Sequence, residues 1–159
     1  MPAVQTSYSE NIGAARAGMI ANEEPATLIS RTVADAAGIG FGVVVQEAAA
    51  DGSKDGQCTA DLDTADMDAY KFLGITVRER SVRPETPNKF AQYESARIMR
   101  KGVIWVEVAG AVKAGEDVTV TLATGVLGTA GVGAGIIAIP NARWESSATG
   151  AGLAKLRLG

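Results

Sequence analysis

The stretch GVIWVEVAGAVKAGEDVTVT, Gly102 to Thr121, decides the fold class. Apolar and polar residues alternate through VIWVEV, a glycine-bearing segment AGAVKAGED follows, and DVTVTL alternates again. A period of two marks a strand with one buried face, because successive side chains point to opposite sides of the pleat. The reading is a β-hairpin. Ile104, Val106 and Val108 face the core from its first strand, and Val118, Val120 and Leu122 from its second. Val103, Trp105 and Glu107 fall on the outer face. The hairpin has no His, no Cys and no paired acids poised for chemistry.

The same period recurs on both sides of it. GMIA (Gly18–Ala21) reads as a short first strand, followed by the alternating EEPATLISRTV (Glu23–Val33). GFGVVVQ places Phe41, Val43 and Val45 on one face, and FLGITVRER places Leu73, Ile75 and Val77 on one face. Cys58–Leu62 suggests a short strand. ARIMR (Ala96–Arg100) is another, ended by a turn at Lys101–Gly102. IIAIPNARWE is a strand closed by Pro140, and GLAKLRLG puts Ala154, Leu156 and Leu158 on one side. RPETPNKFAQYESA reads as irregular, and the glycine-rich TGVLGTAGVGAG as a flexible loop. TADMDAYKF offers one helical turn at most. The sum is an all-β chain of about eight to ten short antiparallel strands, at the spacing of a compact β-barrel or β-sandwich. Residues 1–15 are small and polar without a period, and read as an extended N-terminal arm before a single β domain of residues 16–159. Residues 51–70 carry Asp51, Asp55, Asp61, Asp63, Asp66 and Asp68, and read as a long acidic loop.

Composition narrows function. The 159 residues carry a net charge of −3, the wrong sign for a nucleic-acid partner, and aromatics make up 5%, too few for base-stacking platforms. No apolar run approaches the length of a membrane span. The N-terminal MPAVQTSYSEN lacks the basic and apolar regions of a signal peptide, so synthesis in the cytoplasm is expected. There is no histidine, which removes the commonest general base and metal ligand together and excludes a Ser-His-Asp triad. The lone Cys58 reads as a small buried residue.

Three motifs fall short of the sites they suggest. Gly128, Gly131, Gly133 and Gly135 lack the following helix and the Lys of a phosphate-binding loop. Asp61 and Asp63 begin a calcium-loop pattern, but Ala65 breaks it and no Gly or Glu completes it. Met99-Arg100-Lys101 precedes a turn as a carrier-domain lysine does, with flanking residues that do not match. No metal, cofactor or catalytic residue is assigned, and the chain is not read as an enzyme.

The order of the segments GMIAN, IGFGVVVQ, KFLGITVRER, YESARIMRKGVIWVEVAGAVKAGEDV and IPNARWESSATGAGLAKLRL, spread over most of the chain, resembles the head decoration, or structural cement, proteins of tailed bacteriophages. The acidic loop is the part that does not align. The resemblance implies an all-β structural protein of the virion, made in the host cytoplasm and bound to the outside of the assembled, expanded capsid. It implies no enzyme activity and no cofactor. It also implies that the partners are the major capsid protein and the chain itself, as a homotrimer ahead of a homodimer, bridging neighbouring capsomers. Candidate contact residues are Tyr8 and Ile12 in the arm Val4–Ile12, outward-facing Trp105, and Trp144. The alternative reading is a carbohydrate- or cell-surface-binding β-module without enzyme activity. It would need an aromatic groove that so few aromatics hardly provide.

Overall fold

The computed structural model describes residues 15–48, 55–62 and 72–159. They form strands β1 (Thr27–Val33), β2 (Ile39–Gly40), β3 (Val44–Glu47), β4 (Gln57–Thr59), β5 (Phe72–Thr76), β6 (Lys89–Phe90), β7 (Ser95–Val108), β8 (Asp117–Thr121), β9 (Val126–Gly128), β10 (Ile136–Trp144) and β11 (Gly152–Leu158). No helix occurs among the described residues. The arm, most of the acidic loop, and nearly all of the segment read as one helical turn lie outside them.

The architecture follows from one strand. β7 runs for 14 residues and belongs to two closed rings. The first ring runs β1-β4-β3-β5-β7 and returns to β1. The second runs β7-β11-β10-β8-β9 and returns to β7. The first half of β7 pairs with β1 from Thr32↔Ser95 to Thr27↔Lys101. The second half pairs with β11 from Leu158↔Gly102 to Gly152↔Val108, so the expected hairpin with β8 does not form, and β8 pairs with β10 and β9 instead. Closure leaves few free strand edges, which is how small all-β chains avoid edge-to-edge pairing. The pairings are antiparallel except β1 with β4 and β7 with β9, two parallel contacts that an all-antiparallel reading does not contain.

The expected break at Lys101–Gly102 is absent. ARIMR and VIWVEV are one strand, and Gly102 lies inside it at φ +128°, where pairing passes from the first ring to the second. A Cβ there would meet the Ala26 side chain at 3.0 Å and the Met99 sulfur at 3.2 Å. The glycine serves close packing rather than a turn. Pro140 likewise does not close its strand. β10 continues through it because the register shifts between Ala138 and Arg143, with Asn141 at φ 55°, so the ladder does not call on a proline N–H. The glycine-rich segment is not all loop, since β9 lies in it and closes the second ring at Val108↔Leu127. GMIA forms no full strand, only a bridge from Ile20 to Ile104 that continues the line of β1 along β7. RPETPNKFAQYESA is not wholly irregular: it contains β6 and the start of β7.

Two apolar clusters fill the structure. One holds Val33, Phe41, Val45, Cys58, Leu73, Phe90 and Ile98, and the short β2–β6 pair contributes to it through Ile39 and Phe90. The other holds the second ring's inward residues, including Ile104, Val106, Val108, Val118, Val120, Leu122, Ala154, Leu156 and Leu158, as the alternation predicts. Leu73, Ile75 and Val77 do not share a face. Leu73 joins the first cluster, while Ile75 and Val77 join the second. The β3–β5 register skips from Val45↔Gly74 to Gln46↔Phe72, so Leu73 is an extra residue in a bulge that re-phases the strand.

Candidate functional site

An open groove of about 760 Å³ lies between residues 16–20 and the connection from Val77 to Pro87. Glycines position its first wall. Gly18 has φ +82°, and a Cβ on it would lie 2.8 Å from Phe41 Cβ. A Cβ on Gly42 would lie 2.8 Å from the Gly18 nitrogen. Only two glycines allow these backbones to approach so closely. The Arg78 N–H donates to Gly18 O at 2.7 Å, Gly18 N–H donates to Trp105 O at 2.8 Å, and Trp105 N–H donates to Met19 O at 2.9 Å. The other wall is stiffened by Pro84 and Pro87 and tied down by Glu94, whose carboxylate accepts from the N–H groups of Arg83 (3.1 Å) and Ala91 (2.6 Å).

Five arginines line this groove: Arg16, Arg78, Arg80, Arg83 and Arg97. Arg78 is fixed from behind, with Nε donating to Ala17 O at 3.2 Å and its guanidinium 4.7 Å over the Phe41 ring. Arg97 pairs with Glu79 at 3.3 Å, and Arg83 with Glu94 at 3.4 Å. The Arg80 backbone N–H and the Arg97 guanidinium hold the Glu79 carboxyl below its ordinary range. Met19 and Ile20 add exposed apolar surface, 41% and 39% accessible.

Of the residues singled out in the sequence, Tyr8 and Ile12 lie outside the described residues. Trp105 is half-buried on the outer face of β7. Its cross-strand partner is Lys155, whose ammonium sits 5.2 Å from the ring centroid. Trp144 is 1% exposed and belongs to the second ring's core. Its indole meets this chain's own interior, so it offers no surface to a partner.

The profile of the family described as structural cement protein (E217 gp24/Pam3 gp6) matches residues 4–159. The chain belongs to the structural cement protein family. A chain from the solved structure of the capsid of Myoviridae Phage XM1 shares the fold at a TM-score of 0.74 and 17% identity, with 99% of this chain and 98% of that chain covered. No curated protein matches it. A phage cement protein is a capsid-stabilising structural component of the virion that binds capsid protein, and its role is structural rather than enzymatic.

For such a protein the arginine groove is the feature that pattern reading passes over. Its signal is local, in RERSVRPETP (Arg78–Pro87), where three arginines and two prolines fall within ten residues. Arg16 and Arg97 come from distant parts of the chain, and the segment after β5 joins their neighbourhoods, its Arg78 N–H donating to Gly18 O and its Val77 N–H to Arg97 O.

Proposed function

We propose that this cement protein sits on the outer surface of the assembled, expanded capsid and bridges neighbouring capsomers as a homotrimer. The observation that carries this reading is the shared strand β7. Two closed rings joined by one strand form a stiff body with few free edges, so the contacts of a clamp fall to its surface, its loops and the arm at residues 1–15. A protein that binds the expanded lattice and not free subunits stabilises that lattice by mass action. An oligomer holding several subunits rarely releases all of them at once. The arm Val4–Ile12, with Tyr8 and Ile12, orders on a neighbouring subunit, and the half-buried Trp105 lies beside the segment that leads out of it.

Solution mass by light scattering, followed by co-sedimentation with emptied expanded heads, tests this. The full chain is expected to be a trimer that pellets with heads and not with unassembled shell protein. Removal of residues 1–12 is expected to leave the fold intact and to lose most of the pelleting. A monomer that ignores heads contradicts the proposal.

A further inference from the structure

We propose that the arginine groove receives an acidic, extended segment of the capsid shell protein, with an apolar side chain of that segment seated on Met19 and Ile20. This assignment rests on the cement reading above. The chain carries nine arginines on a body of net charge −3, and five of them line this one groove. Glu79 is the carboxylate that lines it, and Arg97 engages it, while Glu94 behind the wall engages Arg83. A local concentration of positive charge on an otherwise acidic surface selects an acidic partner over distances of about one Debye length, roughly 8–10 Å.

The residue type matters as much as the sign. Guanidinium forks match carboxylates bidentately, and no Lys lines the groove. Arg78, Arg83 and Arg97 are already held by Phe41 with Ala17 O, by Glu94 and by Glu79, so little side-chain freedom is lost when a ligand arrives. The exposed Met19 and Ile20, with Val82, Pro84 and Pro87, give the groove an apolar component that a bare anion would not use.

The backbone supports an extended ligand. Ile20 faces Ile104 in an antiparallel bridge framed by Ala21 N–H to Val103 O and Trp105 N–H to Met19 O. In that arrangement Ile20's own N–H and C=O point away from β7, and no described residue pairs with them. They present one strand-like donor and acceptor beside the groove.

The test uses the full chain and short overlapping fluorescein-labelled peptides spanning the shell protein, read by fluorescence anisotropy. Acidic peptides are expected to bind saturably and to weaken as salt rises from about 50 mM to about 300 mM. Arg16→Ala with Arg80→Ala is expected to weaken them by about tenfold or more. The exposed Arg143→Ala is expected to bind as the unmodified chain does, and a matching thermal midpoint for the double variant shows that its fold is kept. The assignment is overturned if no acidic peptide saturates, or if the double variant binds equally well. It is also overturned if a peptide of residues 49–70 of this chain outcompetes every shell peptide, pointing to a second copy, or if a short DNA duplex does so, pointing to nucleic acid. Pelleting with heads is scored separately. Its failure contradicts the cement reading, whereas the peptide titration alone decides the groove.

Discussion

Gly74 lies against the backbone carbonyl of Met99 so closely that a Cβ on it would stand 2.1 Å from that oxygen. Its φ of +144° is one that L side chains rarely adopt. The contact ties the bulge of β5 to the middle of β7, the strand both rings share. Gly74→Ala is therefore expected to destabilise the fold by about 3 kcal/mol or more, combining backbone strain with a steric clash against backbone. Urea unfolding followed by intrinsic fluorescence measures it. A loss below about 1 kcal/mol would contradict the packing described.

Thr76 follows on the same strand and is fully buried. Its hydroxyl donates to Gly40 O at 2.8 Å and accepts from Val43 N–H at 3.0 Å. Thr76→Val keeps the shape and removes both bonds, leaving a part-buried carbonyl and a part-buried N–H without this partner. The expected loss is about 1–3 kcal/mol, checked by the same unfolding experiment.

Arg157 on β11 holds Glu24 from the connection before β1 with two contacts, Nη1 to Oε2 at 2.8 Å and Nη2 to Oε1 at 2.9 Å, and also pairs with Glu145. The Arg157 guanidinium holds the Glu24 carboxyl below its ordinary value of 4.5. A carboxyl with a depressed folded-state pKa contributes stability above its unfolded pKa, and that contribution fades as pH falls through the folded one. The thermal midpoint of Glu24→Gln should therefore lie below that of the unmodified chain at neutral pH. The gap should close as pH drops below about 4. A gap that widens in acid would contradict the assignment.

Cys58 is fully buried, and burial, reinforced by the negative charge of Asp35, pushes its thiol up to about 12. At pH 8 the thiolate fraction is then about one in ten thousand. Ellman's reagent should leave the native chain unmodified over hours and react at once in denaturant. Rapid native reaction would mean that the first ring opens far more readily than its packing indicates.

The fold class was legible because strand alternation is local. Ile104, Val106 and Val108, and Ala154, Leu156 and Leu158, face inward as their spacing requires. The topology was not legible, because it turns on glycines whose role depends on distant backbone. Gly102 and Gly74 look like punctuation in the sequence. One sits inside the longest strand and the other shifts the phase of its own. Pro140 misleads for a related reason, since a bulge lets a strand tolerate what its ladder cannot. For the candidate site, Trp105 lies half-buried across from Lys155. Trp144 was not separable from it, because an indole near the end of a strand looks the same in sequence whether it lies in the core or at an interface. The groove arginines were each visible, but nothing local reveals that Arg16 and Arg97 line one groove.

The most direct test of a capsid-stabilising role is the heat resistance of expanded, DNA-filled heads that lack this protein, with and without the purified chain added back. DNA release would be followed by a dye that fluoresces on exposed DNA. Added protein is predicted to raise the release temperature by several degrees and to do so saturably, levelling off when its binding sites on the head are filled. Heads that bind the protein yet release DNA at an unchanged temperature would contradict the account.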